Sequence, residues 1–492
     1  MSASQSDKSF NEEKGPVDAV VASNEGVYVI DPAVERRVVR KLDCTVLLAF
    51  ALIFGLNYLD KIGLSYAAIF GMKKDLNLVG QDYSWCSSIF YFGQLIAEFP
   101  VLYLMHKLPI RTFVAVSIII WAVVVGCQAA AQNFAGMMTV RFFLGFTEGA
   151  VAPAFVVMIS FFYRKREQPI RIATFVSFNA LAQIVGALLL YGCGSISGGA
   201  IDGWRISFLI CAALTIVGGA IFFAVVPTSP ATAWFLKPEE REVAEQRVLQ
   251  ERATGAHSNF DWHQFWQTIK DPKLYCVFLW SFYVCITSVV VFGSIVINGF
   301  GFDSFKTLLV GLPGPAIQLA TIWLGAGSLV FFPSYRGWTQ MALALVPLVG
   351  VVMMYTLPYS QKWALVGGYW LATCNSSVYV VNMSLIASNF SGHTRKSMVS
   401  IAYFVGYCVG CIAGPQLFIA TESPLYPTAM KTIIAMYCLY IGTMFAYQEL
   451  CRNENRRRDR LAAEGNEAAR PRAATRDNNQ TDIDDLAFRY CL

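Results

Sequence analysis

Four ionisable residues lie inside stretches of the chain that are otherwise apolar. Asp60 and Lys61 are adjacent in NYLDKIGLSYAA, and Arg141 and Glu148 are seven residues apart in RFFLGFTEGAVAPAF. Acids and cations that neutralise one another in an apolar medium can hold an anion in one state and a proton in another. The chemistry open to this set is therefore the reversible binding of protons and of an anion.

The cost of these charges predicts that they have partners. A charge at the centre of a bilayer costs about 2.5–3.5 kcal/mol, so Asp60, Arg141 and Glu148 would together cost roughly 8–10 kcal/mol if they were unpaired. Arg141 and Glu148 share one helix face but are about 10 Å apart along its axis. We therefore expect each to meet a partner on another helix, with Asp60 as one candidate partner of Arg141.

A structural role for the charges is the alternative interpretation. Ion pairs could simply lock helices together, although packed apolar side chains could replace such a lock at little cost. Glu98 fits this interpretation best, because it precedes Pro100 at the end of its helix and can meet the basic residues of the next loop.

Uncharged polar residues at helical spacing provide further candidates. They share helix faces or lie at helix ends, and they are Asn179, Gln183, Asn298, Gln318, Asn375, Asn382, Tyr403 and Tyr407. Hydrogen bonds between helices and core packing explain such residues as well as ligand contacts do. From this set, we predict ligand contacts for Asn179, Gln183, Asn375, Tyr403 and Tyr407.

Several classes of chemistry find no support in the sequence. The chain contains no G-x-x-x-x-G-K-[ST] phosphate-binding loop, so ATP is not the expected energy source. Its four histidines lack paired metal-ligand spacing, which disfavours a metal site and histidine-based catalysis. We therefore expect no cofactor, no metal and no enzymatic activity. The basic residues cluster at helix ends and form no single stripe, so we expect no nucleic-acid partner.

The composition predicts that the elements holding these residues are membrane helices. Of the 492 residues, 55% are hydrophobic and only 14% are charged, and the mean hydropathy is +0.48. A bilayer-spanning helix needs about 20 apolar residues. Twelve apolar runs qualify, near 44–66, 84–105, 112–132, 134–162, 172–197, 205–226, 274–298, 307–333, 338–358, 363–388, 398–420 and 428–448.

The predicted fold class is an all-α integral membrane protein with twelve transmembrane helices in two six-helix bundles. Lysine and arginine are concentrated before the first run and after the second, fourth and tenth runs. This positive-inside bias predicts that both termini are cytoplasmic. The near equality of the two six-run blocks suggests duplicated halves with a substrate site between them.

The predicted boundaries follow from this pattern. They are a disordered cytoplasmic N-terminus at 1–41, a first bundle at 42–226, a cytoplasmic central loop at 227–271, a second bundle at 272–448, and a mostly disordered cytoplasmic tail at 449–492. Apolar Val243, Val248 and Leu249 predict an amphipathic helix in the central loop. A solvated spacer is the alternative there.

Four stretches resemble the major facilitator superfamily, and within it the fungal allantoate permease group of the anion:cation symporters. They are FGLNYLDKIGLSYAAIFGMKKDL, YSWCSSIFYFGQLIAEFP, NFAGMMTVRFFLGFTEGAVAPAF and ASNFSGHTRKSMVSIAYFVGYCVGCIAGPQLF. The final FRYCL is also similar to this group's ending, and the likeness spans about residues 40 to 450. The resemblance implies that Asp60 and Glu148 carry protons, that Arg141 is the coupling cation and contacts substrate, and that Lys61 anchors the substrate carboxylate.

The sequence also departs from the family pattern. The loops HKLPIR and PSYRG lack the family's usual acidic residue, which puts its lock between the halves in doubt. Cys411 stands where relatives often have asparagine, so contacts with substrate there are expected to differ.

The function implied by the resemblance is secondary active transport. We expect a monomer in the lipid bilayer of the plasma membrane that imports a small organic anion with protons. The anion would be a ureido acid, a carboxylated vitamin, an amino acid or a short peptide. An exporter of a fungal metabolite and a nutrient sensor are the alternatives.

Overall fold

The computed structural model describes residues 20–22, 28–164, 167–194, 201–253, 260–287, 292–331, 335–470 and 480–492. A short antiparallel strand pair, β1 (Val20–Ala22) and β2 (Tyr28–Ile30), precedes the helices. The helices of the first half are α1 (Pro32–Leu42), α2 (Leu48–Ala67), α3 (Lys73–Asp75), α4 (Asp82–Lys107), α5 (Ile110–Cys127), α6 (Phe134–Glu148), α7 (Val151–Phe162), α8 (Gln168–Gly194) and α9 (Gly203–Val225). One-turn π-helices at Asp43–Leu47 and Ala68–Met72 join α1, α2 and α3.

Among the described residues, two helices lie in the central loop and nine in the second half. They are α10 (Pro238–Ala253), α11 (Trp262–Lys270), α12 (Pro272–Ile286), α13 (Gly293–Gly299), α14 (Ser304–Gly311), α15 (Pro313–Phe331), α16 (Arg336–Thr356), α17 (Lys362–Ala372), α18 (Asn375–Asn389), α19 (His393–Ala413) and α20 (Pro427–Ala463). Short 3-10 turns lie at Gln128–Ala130, Pro230–Thr232, Gly414–Leu417, Ala420–Glu422 and Glu467–Ala469. Some helices have a side-chain cap at their N-terminus. In α6, for example, the Asn133 Oδ1 accepts the Gly136 N–H at 2.9 Å.

Ten helices in the described residues are long and apolar enough to cross a bilayer. They coincide with ten of the twelve predicted runs. The other two runs, at 274–298 and 363–388, are not among the ten. The first contains α12 and α13, and the second contains α17 and α18, which are separated by Thr373 and Cys374. Hydropathy could not reveal the break between α17 and α18, because it reports composition and not backbone direction.

The prediction of disorder at both ends of the chain is wrong for part of each segment. Residues 32–41 are helical in α1, and α20 continues through Ala463. Residues 480–492 pack against the second half, with Asp482 fully buried and Tyr490 3% exposed. Residues 1–19 and 471–479 lie outside the described part of the chain.

The amphipathic helix predicted for the central loop is present as α10. Val243 is fully buried and Val248 is 6% exposed, so this helix packs on the protein and is not a solvated spacer. Its Arg247 is also fully buried, with its Nε 3.0 Å from the Glu35 Oε1 and its Nη2 2.6 Å from the Glu167 Oε1.

The two halves contact each other along α4 and α19 and along α8 and α15, and also at one end of the molecule, which we call the far end and which carries residues 68–83, 292–305 and 414–426. Here the Tyr83 ring packs edge-on against Phe292 at 5.1 Å, and the Phe70 ring against Phe305 at 5.6 Å. The opposite, terminal end carries α1 and the end of α20. Within the described residues, no ion pair at either end joins one half to the other.

Close packing of α4 on α6 fixes the position of the charged stretch in the first half. A Cβ atom added to Gly145 would lie 1.8 Å from the Phe90 carbonyl oxygen, and one added to Gly93 would lie 2.1 Å from the Phe142 carbonyl oxygen. Only glycine permits this approach, and it places Glu148, one turn beyond Gly145, against α2 and α4.

Candidate functional site

A cavity of about 290 Å³ lies between the two halves. It is bounded by α2, α4, α6, α7 and α8 from the first half and by α12, α17, α18 and α19 from the second. Its polar lining residues are Asn57, Tyr58, Lys61, Tyr91, Gln94, Glu148, Asn179, Tyr369, Thr373, Asn375, Ser376, Tyr379, Ser400, Tyr403 and Tyr407. This set includes six of the nine residues predicted from sequence.

One ion pair forms the charged part of the cavity wall. The Lys61 Nζ lies 3.1 Å from the Glu148 Oε1, and the two side chains are 20% and 2% exposed. No other lysine, arginine, aspartate or glutamate lines the cavity within the described residues. The wall is therefore neutral as long as Lys61 and Glu148 are both charged.

Asp60 and Arg141 occupy different positions from the predicted ones. They are 1% and 2% exposed, and neither lines the cavity. Within the described residues, both carboxylate oxygens of Asp60 and the Nε and Nη2 atoms of Arg141 have no hydrogen-bond partner. In the part of the chain that the structure describes, Asp60, one candidate partner of Arg141, thus forms no ion pair with it, and the ion pair that forms joins Lys61, the next residue on α2, to Glu148.

These unpartnered groups of Asp60 and Arg141 reduce the stability of the first half. A buried polar group without a partner costs about 1–3 kcal/mol, and more when it is charged. Each such group needs an explanation, and Asp60 and Arg141 remain candidates for a role in coupling although they lie outside the cavity.

The second half supplies an uncharged, aromatic wall. The Asn375 Nδ2 donates to the Val284 carbonyl at 2.8 Å, and its Oδ1 accepts the Tyr437 hydroxyl at 3.0 Å. This amide therefore holds the start of α18 against α12 and α20. The Tyr403 hydroxyl is buried without a partner among the described residues, and its ring lies 5.7 Å from that of Tyr379.

The remaining predicted residues divide between the cavity and the helix interfaces. Tyr407 lines the cavity, with its ring 5.8 Å from that of Tyr91. Asn179 also lines it, and its Oδ1 has no partner within the described part of the chain. Asn382 is fully buried and contacts Gln340 and Tyr440, so it serves the helix interface.

Gln183 lies outside the cavity and connects the two halves. Its Nε2 donates to the Gln318 Oε1 at 2.8 Å, and the Gln318 Nε2 donates to the Ser376 Oγ at 2.8 Å. Since Ser376 lines the cavity, this amide chain runs from α8 across the junction between the halves to the cavity wall. A second tie joins α4 to the second half, where the Ser88 Oγ donates to the Ile412 carbonyl at 2.7 Å.

Sequence reasoning missed several residues that line the cavity. Asn57 is four residues before Lys61 on α2, so its helical spacing could have identified it. Gln94, Ser376 and Tyr379 carry no comparable signal, because their polarity alone does not indicate which face of the helix they occupy. Cys411, noted as a departure from the family pattern, lines the cavity together with Cys285.

Comparisons with known proteins agree with this architecture. Residues 50–415 match the family model described as Major Facilitator Superfamily. An uncharacterized transporter of Schizosaccharomyces pombe is 35% identical, covering 94% of this chain and 91% of its own. The allantoate permease of Saccharomyces cerevisiae is 29% identical, covering 94% and 88%.

Solved structures show the same fold at low sequence identity. A bacterial homolog of the human lysosomal transporter Spinster, in an inward-facing and occupied conformation, has a TM-score of 0.60 at 14% identity and covers 82% of this chain and 96% of its own. The E. coli xylose transporter XylE, in a partially occluded inward open conformation, has a TM-score of 0.61 at 16% identity and covers 82% and 97%.

Proposed function

Because the chain belongs to the Major Facilitator Superfamily, a family of transporters, we propose that it imports a small organic anion together with protons by alternating access. The proposed substrate is a ureido acid, a carboxylated vitamin, an amino acid or a short peptide. Similarity to the yeast allantoate permease supports an organic anion as the substrate. The chain is a multi-pass membrane protein, and we place it in the plasma membrane.

The observation that carries the proposal is the Lys61–Glu148 ion pair in the cavity wall. A carboxylate that enters the cavity can contact Lys61 only in competition with Glu148. Protonation of Glu148 removes that competition and leaves a cation for the substrate. Loss of the proton restores the ion pair and expels the anion, so binding of substrate and proton are linked through one lysine.

The charge balance favours two protons per monoanion. One proton with one monoanion moves no net charge, so only the pH difference drives uptake, at about 1.36 kcal/mol per unit. A second proton adds about 2.3 kcal/mol per 100 mV of membrane potential. We propose Asp60 as the second titrating acid, with Arg141 as the cation that offsets its charge.

The proposed topology has twelve spans and cytoplasmic termini. The helices α12 and α13 supply the seventh span and α17 and α18 the tenth, and the bundles comprise residues 42–226 and 272–448. Residues 227–271 and 449–492 lie in the cytoplasm, and one monomer is sufficient for transport. The cavity, closed at the far end by the contacts between the halves, then faces the cytoplasm.

Uptake and current recordings in whole cells test the proposal. Small carboxylates are screened as competitors, and external acidification is expected to stimulate uptake of the carboxylate that competes best. With two protons per monoanion, uptake carries an inward current, whereas strictly electroneutral uptake would exclude that stoichiometry. Glu148→Gln is expected to abolish accumulation against a gradient, and normal accumulation by this variant would refute the coupling role.

The same experiment separates the alternatives. If the protein is an exporter, cells that lack it would retain their own metabolite, and external acidification would not stimulate uptake. A nutrient sensor would continue to signal after Glu148→Gln abolished transport.

A further inference from the structure

The 480–492 segment occupies the terminal end of the second half in the manner of a bound peptide. We propose that this end of the second half is a peptide-binding site whose ligand is the chain's own 480–492 segment, and that binding joins the ends of the surrounding helices into one rigid body. The proposal concerns the packing of the second half and does not depend on what the protein transports.

The centre of the site is a fully buried ion pair between Asp482 and Arg395. The Arg395 Nε donates to the Asp482 Oδ1 at 2.7 Å, and its Nη2 donates to the Oδ2 at 3.1 Å. Two further donors form hydrogen bonds to the Asp482 carboxylate. They are the Ser391 backbone N–H at 3.0 Å and the Tyr490 hydroxyl at 2.8 Å. Asp482 is thus the anchor of the segment.

The charges of this site balance only when the segment is present. Arg395 also contacts Asp271, and the Lys273 Nζ lies 3.7 Å from the Asp271 Oδ2 and 3.9 Å from the Asp482 Oδ2. Two buried cations thus face two buried acids. Removal of the segment would leave Arg395 and Lys273 with a single acid between them, which is costly because buried charges need partners.

Side chains of the second half also recognise the segment's backbone in a fixed register. The Asn389 amide donates to the Cys491 carbonyl at 2.9 Å and accepts its N–H at 2.8 Å. In the same way, the Asn455 amide donates to the Tyr490 carbonyl and accepts its N–H, each at 2.9 Å. Such two-sided contacts resemble strand pairing, and they specify position along the chain independently of side-chain identity.

A single arginine contacts the interior of the segment. Arg458, which is 1% exposed, donates to the carbonyls of Asp482 at 2.7 Å, Phe488 at 2.8 Å and Asp485 at 3.1 Å. Three carbonyls converge on one guanidinium only when the segment is folded back on itself. The site therefore selects a compact conformation of these residues.

The contacts reach six different helices, and all of them belong to the second half or to α11. The residues that make them are Gln267, Lys273, Gly337, Asn389, Arg395 and Asn455. Alternating access requires each half to move as a unit. The bound segment supplies a further cross-connection among these six helices.

Deletion of residues 480–492 tests the proposal with the otherwise intact protein. We expect the deletion to lower the midpoint of thermal unfolding in detergent by about 3–5 °C, as the loss of a partner from a buried ion pair should in a chain of this length. A synthetic peptide of residues 480–492 should restore most of that loss, and the same peptide carrying Asp482→Asn should not. An unchanged midpoint after deletion would overturn the proposal, and so would equal rescue by both peptides.

Point substitutions in the full chain provide the test if the variant that lacks residues 480–492 does not fold. Asp482→Asn in the full chain should lower the midpoint, whereas Asp485→Asn should not. Asp485 is the matched control, because among the described residues its carboxylate accepts only the N–H of Ala487, which lies within the same segment. Equal midpoints for the two variants would overturn the proposal. Because these readouts require no transport, failure of the proposed function would leave them unaffected.

Discussion

At the scale of the residue, the cavity wall holds Lys61, and not its neighbour Asp60, against Glu148. Adjacent positions on α2 differ in direction by about 100°, so the rotation of α2 against α6 decides which of the two residues faces α6. Helical spacing assigns residues to a face but does not fix that rotation, so the pairing was not predictable. The burial of Asp60, Arg141 and Glu148 was predictable, because each lies within an apolar run.

The Lys61–Glu148 pair should show strong coupling in a double-mutant cycle. Lys61→Met leaves the 2% exposed Glu148 carboxylate without its cation, so we expect the free energy of unfolding to fall by about 3–5 kcal/mol. The double variant Lys61→Met/Glu148→Gln should lie close to the wild type, because both charges are gone. Thermal unfolding followed by intrinsic fluorescence measures both. Additive losses in the double variant would show that the two residues do not interact.

At the scale of the element, the cavity depends on features that hydropathy does not contain. The interruption between α17 and α18 brings Asn375 to the start of a helix, where its amide contacts α12 and α20. The sequence indicated the polarity of Asn375 and its place in an apolar run. It did not indicate the break, because Thr373 and Cys374 are residues that also occur in continuous helices.

The packing of α4 on α6 should be intolerant of a single methyl group. We expect Gly145→Ala to lower the thermal midpoint and to impair uptake, since the new Cβ would overlap the Phe90 carbonyl oxygen and displace Glu148. Gly442→Ala is the matched control, because nothing lies within 4 Å of a Cβ at that position of α20. Comparable losses in both variants would indicate a general effect of alanine and not the close approach.

The contact between α1 and α10 should weaken in acid. Burial alone would raise the pKa of Glu240, but hydrogen bonds from the Lys41 Nζ at 2.6 Å and the Lys237 N–H at 2.9 Å outweigh it and hold this pKa below its ordinary value. A carboxyl whose folded-state pKa is lowered stabilises the folded state above its unfolded pKa, about 4.3 for glutamate. That contribution is lost as the pH falls through the folded-state pKa.

Hydrogen exchange in α10, corrected for intrinsic rates, measures this effect. Exchange should accelerate between pH 5 and pH 3, and Glu240→Gln should exchange rapidly at both values. Exposed Glu239→Gln serves as the control and should behave as the wild type. If exchange in Glu240→Gln accelerated in acid as it does in the wild type, the acceleration would come from another titrating group.

At the scale of the whole molecule, the distribution of contacts between the halves is uneven. The amide chain from Gln183 to Ser376, the Ser88 tie and the aromatic contacts all lie toward the far end or at mid-height. Duplicated bundles could be expected from the lengths of the apolar runs. Which end is joined is a property of one conformational state, so the sequence, which is compatible with several states, could not predict it.

Loss of the Gln183–Gln318 hydrogen bond should loosen the far end. We expect Gln183→Leu to raise the labelling rate of an introduced Ser65→Cys by about 5- to 30-fold, the equivalent of 1–2 kcal/mol. A membrane-impermeant maleimide applied from the far face provides the measurement. Gln340→Leu is the control, because its amide contacts Asn382 and Tyr440 within the second half. Equal labelling rates in the two variants would show that the Gln183–Gln318 hydrogen bond does not hold the far end closed.

The uneven joining of the halves has a consequence for any ligand titration. An empty protein held together at the far end rests mainly in the state that is open at the terminal end, and a ligand that arrives from the far face meets only the minority that has opened toward it. If that minority is about one molecule in a hundred, the apparent dissociation constant measured from that face is raised about 100-fold. One site would then show two apparent affinities, one from each side of the bilayer, without any difference in the residues that hold the ligand.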